Sequence, residues 1–340
     1  MEVDVLGIDL AKQVFQLHGA SRSGLVVHRS KVSRQGLLTA VRNLKPRLVV
    51  MEACSSAHYW ARRLQAMGIE AKLISPQYVA PFVKTNKNDR NDAEAIVEAA
   101  SRPTMRFVPV KTVEQQDMTA LHRIRQLLVQ QATAVINQVR GILGERGIVI
   151  AKSPAAFYRA MPDVLASDDA EFTQFCRGLL VSLLEHLHSI EERITEADGK
   201  IKGFMRSSAL CQKISAIDGV GAVTATAIVA AVGDASEFRN GRHLAAWLGL
   251  VPRQHSSGGK SRLSGISKRG DVYLRTLLIH GARSVLRFVA DKTDAQSKWL
   301  RELIGRRGFS RAAVALANKN ARVIQSLLSS DRDYVRPGAA

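Results

Sequence analysis

The apolar positions change their period along the chain, short and strand-like at first and helical later. Val3-Asp4-Val5-Leu6-Gly7-Ile8-Asp9 is a β-branched run closing on an acid. Val14-Phe15-Gln16-Leu17-His18 and, past a turn from Ser21 to Gly24, Leu25-Val26-Val27 complete a three-stranded meander. Ser33 caps a helix to about Leu44, because Leu37, Leu38, Val41 and Leu44 recur at helical spacing. Arg47-Leu48-Val49-Val50-Met51-Glu52 predicts a fourth strand, again ending on an acid. A helix over 57–67, a fifth strand over 71–75 stopped by Pro76, a polar loop, and a helix from Asp92 to Ala100 follow. The order is βββαβαβα.

From Val113 to Arg146 one long helix is expected, with Met118, Leu121, Leu128, Ile136 and Val139 in its apolar stripe. A break holds Pro154 and Pro162, after which Leu179, Leu183, Leu187, Ile190, Ile194 and Ile201 mark a second tract from Phe172 to Lys202. The pair predicts an antiparallel hairpin or an oligomerisation coil. His186 and His188 fall on different sides of that helix and read as exposed polar residues. Ile214 to Ile228, turning at Gly219-Val220-Gly221, looks like a helix-hairpin-helix element that aims backbone amides at a phosphate. Helices over 241–249 and 271–289 follow, then two further helices within 295–328 and a tail from Asp331.

Charge narrows the class of partner. The 340 residues carry 49 Lys+Arg against 30 Asp+Glu, a net charge of +19 that favours a polyanion such as nucleic acid. From Arg239 to Arg287 the basic residues face one acid, Asp271, so the phosphate-facing surface is expected there. Cys54, Cys176 and Cys211 lack paired spacing, which argues against a disulfide framework or a zinc site and fits a reducing cytoplasm. No basic, apolar leader and no long apolar run are present, so neither export nor a membrane span is expected.

Two constellations carry candidate chemistry. In the flexible segment His255-Ser256-Ser257-Gly258-Gly259-Lys260-Ser261-Arg262, continuing to Ile266-Ser267-Lys268-Arg269-Gly270, hydroxyls can attack, glycines admit a phosphate and cations neutralise it. Ser257 stands directly before the glycines and Ser256 is its runner-up, while Ser267 caps a turn. Arg253, His255, Lys260, Arg262, Lys268 and Arg269, with Gly219 and Gly221, are candidate nucleic-acid contacts. The other constellation is Asp9 and Glu52 at strand ends with Asp89 and Asp92 spaced i, i+3. Four carboxylates suit hard divalent cations such as Mg2+, which can clamp the oxygens of a phosphodiester.

The strand and helix order resembles the RNase H-like fold in its RuvC-type form. The whole chain resembles transposases of the IS-one-ten family of insertion sequences, in its IS-eleven-eleven branch. The likeness rests on Gly7-Ile8-Asp9-Leu10-Ala11-Lys12, Met51-Glu52-Ala53, Asn88-Asp89-Arg90-Asn91-Asp92-Ala93, Gly219-Val220-Gly221, Leu248-Gly249-Leu250-Val251-Pro252-Arg253 and the Ser-Gly segment. It implies a RuvC-like DEDD domain over 1–105, a helical coiled-coil region over 106–205, a mainly helical serine transposase domain over 206–330 and a tail over 331–340. It further implies a homo-oligomer, dimer or tetramer, and a structured guide RNA pairing with donor and target DNA. Asp9, Glu52, Asp89 and Asp92 take the acidic role and the serine before Gly258 the nucleophile. Besides a recombinase, two readings stay open: a RuvC-type junction nuclease using activated water, and a non-catalytic nucleic-acid-binding protein.

Overall fold

The computed structural model describes residues 2–83, 89–168 and 171–335, apart from the side chains at 89 and 90. The elements in order are β1 Val5–Leu10, β2 Val14–Ala20, β3 Val26–Ser33, α1 Leu37–Leu44, β4 Leu48–Glu52, α2 Ala57–Gln65, β5 Glu70–Ile74, α3 Pro76–Val79 with a 3-10 turn Ala80–Phe82, α4 Asp89–Ala100 and β6 Phe107–Val108. Then come α5 Val113–Gly144, α6 Pro154–Ala166, α7 Gln174–Ser207, α8 Ala209–Ser215, α9 Ala222–Val232, a 3-10 turn Ala235–Glu237, α10 Gly241–Trp247, β7 Pro252–Ser257, β8 Lys260–Ile266, α11 Val272–Leu286, α12 Ala295–Arg307 and α13 Phe309–Leu328. They divide into two compact units, Met1–Gln115 with Val232–Glu237, and Gln116–Ala231 with Phe238–Ala340.

The first unit is a mixed sheet in the order β3-β2-β1-β4-β5-β6. The meander β1-β2-β3 is antiparallel, β1, β4 and β5 run parallel, and β6 returns antiparallel on β5. Alternation sorts the strands into two faces. Leu6, Ile8, Phe15, Leu17, Val49, Met51 and Leu73 pack with Leu37 and Val41 of α1 and Trp60, Ala61 and Leu64 of α2. Leu48, Val50 and Ile74 pack with Ala95, Ile96 and Ala99 of α4. The architecture is consistent with an RNase H-like domain.

In the second unit α5, α6 and α7 share one core, with Leu128, Ile136, Val139 and Leu143 against Phe157, Met161 and Val164 and against Cys176, Leu180, Leu187 and Ile190. Arg125 of α5 forks onto both carboxylate oxygens of Asp198 of α7. His186 and His188 are exposed, as expected. Further on, α13 packs against α10, α11 and α12. The turn before α9 lies directly on α11. Gly219 has φ +87°, and a Cβ built on Gly281 would stand 1.8 Å from the Gly219 carbonyl oxygen, so both positions need glycine.

Several expectations are corrected. The segment with Pro154 and Pro162 is a helix, not a break. Pro154 occupies its first turn, where no amide donor is required, and the interior Pro162 is tolerated because Phe157, Met161 and Val164 are buried. Asp92 lies inside α4, which starts at Asp89, and the expected polar loop falls mostly on residues 84–88, outside the described residues. Ser33 ends β3 and accepts from the Gly36 amide at 3.2 Å, a turn ahead of α1 and not its cap. The Ser-Gly segment is a two-stranded antiparallel sheet, β7 and β8, where a flexible loop was expected.

A buried histidine ties three helices of the second unit. Thr226 Oγ1 donates to the Ala222 carbonyl at 2.7 Å, so His122 Nε2 donates to Thr226 at 2.9 Å and His122 Nδ1 accepts from Tyr273 at 3.0 Å. Burial, and then the nearby Arg125 charge, push the imidazole pKa down to about 4. An unfolded histidine protonates near 6.5, so between the two values the unfolded chain binds more protons. Stability should therefore fall as pH drops from 6.5 toward 4. Thermal unfolding across that range should show a shallower decline in His122→Gln than in the parent chain.

Candidate active sites

Parallel register brings two acids together. β1 and β4 pair Gly7 with Val50 and Ile8 with Met51, so the next residues, Asp9 and Glu52, stand side by side at the strand ends, both half-buried. They share a face with Gly7 and Val50, the face that α4 covers. The contact is close: a Cβ on Gly7 would lie 2.7 Å from the Ala93 carbonyl oxygen and 2.6 Å from a Val97 methyl. Asp92 precedes Ala93 by one residue, and Asp89 by one helical turn. The Asp89 side chain lies outside the description, and among the described residues no three His, Cys, Asp or Glu side chains form a metal-binding group. The paired acids nevertheless set up a negative field. Burial first, then the charges of Glu52 and Asp9, raise the Cys54 thiol above its ordinary pKa. Hard carboxylate oxygens at the end of a sheet fit a divalent cation. The chain leaves this corner abruptly, with Ser56 at φ +69° just before α2.

The same face runs on across the meander. Asp9 pairs with Gln16 and Gln16 with Lys31, while His18 pairs with Arg29. Arg29 holds Glu94 of α4 at 3.2 Å.

The Ser-Gly segment forms an exposed arm with a fixed base. Gly258 and Gly259, at φ +55° and +77°, close the two-residue turn that such a hairpin favours. Ser257 pairs with Lys260, Ser256 with Ser261 and His255 with Arg262. Alternation therefore puts Ser257, His255, Lys260 and Arg262 on one face, and Ser256 with Gln254 on the other, where Gln254 Nε2 donates to Ser256 Oγ at 2.8 Å. Every residue from Pro252 to Gly265 is exposed, Arg253 among them, and so are Lys268 and Arg269 beyond the base.

That base is built from backbone contacts. A Cβ on Gly249 would stand 2.0 Å from the Arg269 carbonyl oxygen, and one on Gly270 1.9 Å from that of Trp247. Arg275, only 7% exposed, donates to the carbonyls of Leu248 at 3.1 Å and Arg269 at 3.2 Å. Asn318 of α13 donates to Leu250 at 3.2 Å. Ser267 accepts from the Arg269 amide at 3.4 Å, in the turn role expected of it. Sequence reasoning missed this clamp. The paired glycines were its visible signal, but nothing local announces Arg275 as structural. Of the Gly-x-Gly turn, Gly219 packs on α11, whereas Gly221 is exposed with open space around its Cα.

Comparison with known proteins covers both segments. Residues 211–299 match the family model described as "Transposase IS116/IS110/IS902 family", and residues 6–146 match the DEDD transposase model of the IS110 group. The chain is 51% identical over 99% of its length to a probable family 20 transposase of Pseudomonas aeruginosa, covering 100% of that protein. It is 50% identical to the transposase for insertion sequence element IS1111A of Coxiella burnetii, over 98% of this chain and 92% of that one. To the transposase for IS1328 of Yersinia enterocolitica it is 39% identical, over 94% and 95% of the two chains.

The chain belongs to the IS110 family of insertion-sequence transposases. As such it is an enzyme that cuts and joins DNA, and its likeness to the IS1111A protein fits the expected branch. The two family matches fall one on each constellation, the DEDD match over 6–146 spanning Asp9, Glu52, Asp89 and Asp92 and the match over 211–299 spanning the hairpin with Ser257. Membership in a DEDD group supports dependence on a divalent metal. No helix among the described residues of the transposase is long and apolar enough to cross a membrane.

The Gly7 contact yields a test of how the acids are placed. Gly7→Ala should push α4 off β1, at a cost of about 1–3 kcal/mol typical of overpacking. DNA cutting should fall further than the loss of folded protein explains, as thermal melting and a cleavage assay on the same sample would show. Gly305→Ala, exposed in α12 with open space around it, should leave both readouts unharmed.

Proposed function

We propose that the transposase moves its element by attack of Ser257 on a DNA phosphodiester. The observation carrying this reading is the hairpin face that joins Ser257 to His255, Lys260 and Arg262. In the step, Ser257 Oγ bonds to phosphorus and the bond to the leaving deoxyribose oxygen breaks. The serine proton passes to a base, for which His255, two residues away on the same face, is placed by strand order, and the leaving oxygen takes up a proton. Lys260 and Arg262 neutralise the charge that grows on the phosphoryl oxygens. A DNA hydroxyl attacking the phosphoserine then reverses the exchange and rejoins the strand. Ser256 is the weaker candidate, since its hydroxyl is engaged by Gln254 on the opposite face.

Asp9, Glu52, Asp89 and Asp92 would hold Mg2+, which when bound supplies charge neutralisation at the scissile phosphate. Gly221 at the start of α9, Arg253, Lys268 and Arg269 contribute phosphate contacts, with Gly219 setting the turn. The functional division follows 1–105, 106–205 and 206–330, with a guide RNA choosing the DNA by base pairing and a homo-oligomer as the working form.

The decisive measurement is covalent protein–DNA adduct on a denaturing gel. Ser257→Ala should fold, bind DNA and form no adduct, and Ser256→Ala should retain it; adduct kept by the first and lost by the second would move the nucleophile one residue upstream. Asp9→Asn should lose cleavage while its melting temperature holds, because removing charge from a crowded acidic edge does not weaken the fold. DNA affinity should fall about 10³ to 10⁵ between roughly 50 and 200 mM salt if on the order of 6 to 10 phosphates are contacted.

A further inference from the structure

A concave recess of about 690 Å³ lies among α10, α12 and α13, away from the hairpin strands. Its wall includes Arg242, Lys319, Arg322, Trp299 and Asn318, and among the described residues no acid lines it. Lys319 Nζ stands 4.8 Å from the centre of the Trp299 ring, and this contact holds the indole half-buried at the edge of the space. The recess is rigidly framed. A Cβ on Gly241 would lie 2.7 Å from the Arg322 Cα, so α10 and α13 touch backbone to backbone beneath it. Buried Gln325 donates to the Phe238 carbonyl at 3.0 Å, and Asn318 is anchored on Leu250.

Three cations on a wall lined by no described acid call for an anion, yet phosphates alone would have no use for an indole in a concavity. A planar heterocycle carried on a phosphate satisfies both. The volume is in the range that encloses a small ligand and accommodates one nucleotide, whereas a stacked duplex does not present its bases to such a space. We infer that this recess captures one unpaired nucleotide of a nucleic-acid strand, its base against Trp299 and its phosphates against Arg242, Lys319 and Arg322. None of the residues given the serine and carboxylate roles above lines the recess, and it would serve either a displaced DNA strand or an unpaired stretch of RNA.

The test is equilibrium binding of fluorescent oligonucleotides of one sequence, as single-stranded DNA, single-stranded RNA and duplex DNA, to the full-length chain without metal. Trp299→Ala should weaken single-strand binding by about tenfold, with Trp299→Phe retaining most of it and duplex binding unchanged. Arg242→Gln combined with Arg322→Gln, both exposed side chains, should lower the logarithmic salt slope for single strands by roughly 1 to 2 without moving the melting temperature. Whichever single strand shows the Trp299 dependence identifies the source of the nucleotide. Equal losses on duplex and single strands, or no loss with Trp299→Ala alongside a reduced salt slope, would reduce the recess to a plain phosphate patch and overturn the inference. Because no cleavage or adduct is read, failure here is distinct from failure of the Ser257 assignment.

Discussion

A helix axis can approach a β-sheet this closely only where the strand beneath it carries no side chain. In this transposase Gly7 is that place, with the Ala93 carbonyl and Val97 occupying the space a Cβ would need. The consequence reaches the carboxylates. Asp9 is fixed two residues along β1 from the contact, Glu52 is fixed beside it by the parallel register with β4, and α4, in which Asp92 lies, rests on the same face of the sheet at Ala93. The paired acids Asp9 and Glu52 thus stand on the face where α4 is seated, and one methyl group at Gly7 would disturb that seat.

The second unit applies the same device elsewhere. Gly219 with Gly281, Gly249 with Arg269 and Gly270 with Trp247 are points where chain meets chain with no side chain between. Arg275 adds a buried cation whose donors satisfy two carbonyls left open by the crossing. A buried guanidinium is costly unless its donors are used, so its removal would leave two unpaired carbonyls as well as a void. Rigidity is concentrated at the root of the hairpin, and freedom of approach at its tip.

The strands of the first unit were legible because their apolar residues alternate or run together and stop at turn residues, and Asp9 and Glu52 were legible as acids on strand ends. The long helices announced themselves through stripes such as Leu128, Ile136 and Val139. What stayed hidden had other causes. The helix Pro154–Ala166 carries two prolines, and only tertiary burial of Phe157 and Met161 outweighs their cost. The hairpin strands Pro252–Ser257 and Lys260–Ile266 are exposed on both faces, so no apolar alternation existed to find, and Gly258-Gly259 was their one structural sign. The β6 strand has two residues, too few for any period. Among the sites, the contrast between Ser256 and Ser257 was invisible until cross-strand partners assigned each hydroxyl to a face.

The exposed hairpin has a consequence in time as well as in space. A two-stranded ribbon that buries no side chain is marginal by itself, and its amide bonds open without disturbing the helices below. The arm therefore fluctuates on its own free-energy scale, small beside that of global unfolding, while the clamp at its root keeps the excursions pivoted about one point. Hydrogen exchange along the chain would then resolve a fast segment bounded by a slow one within a few residues. Contact with a strand of nucleic acid would erase that boundary, which makes the exchange rate of the hairpin amides a clock for assembly.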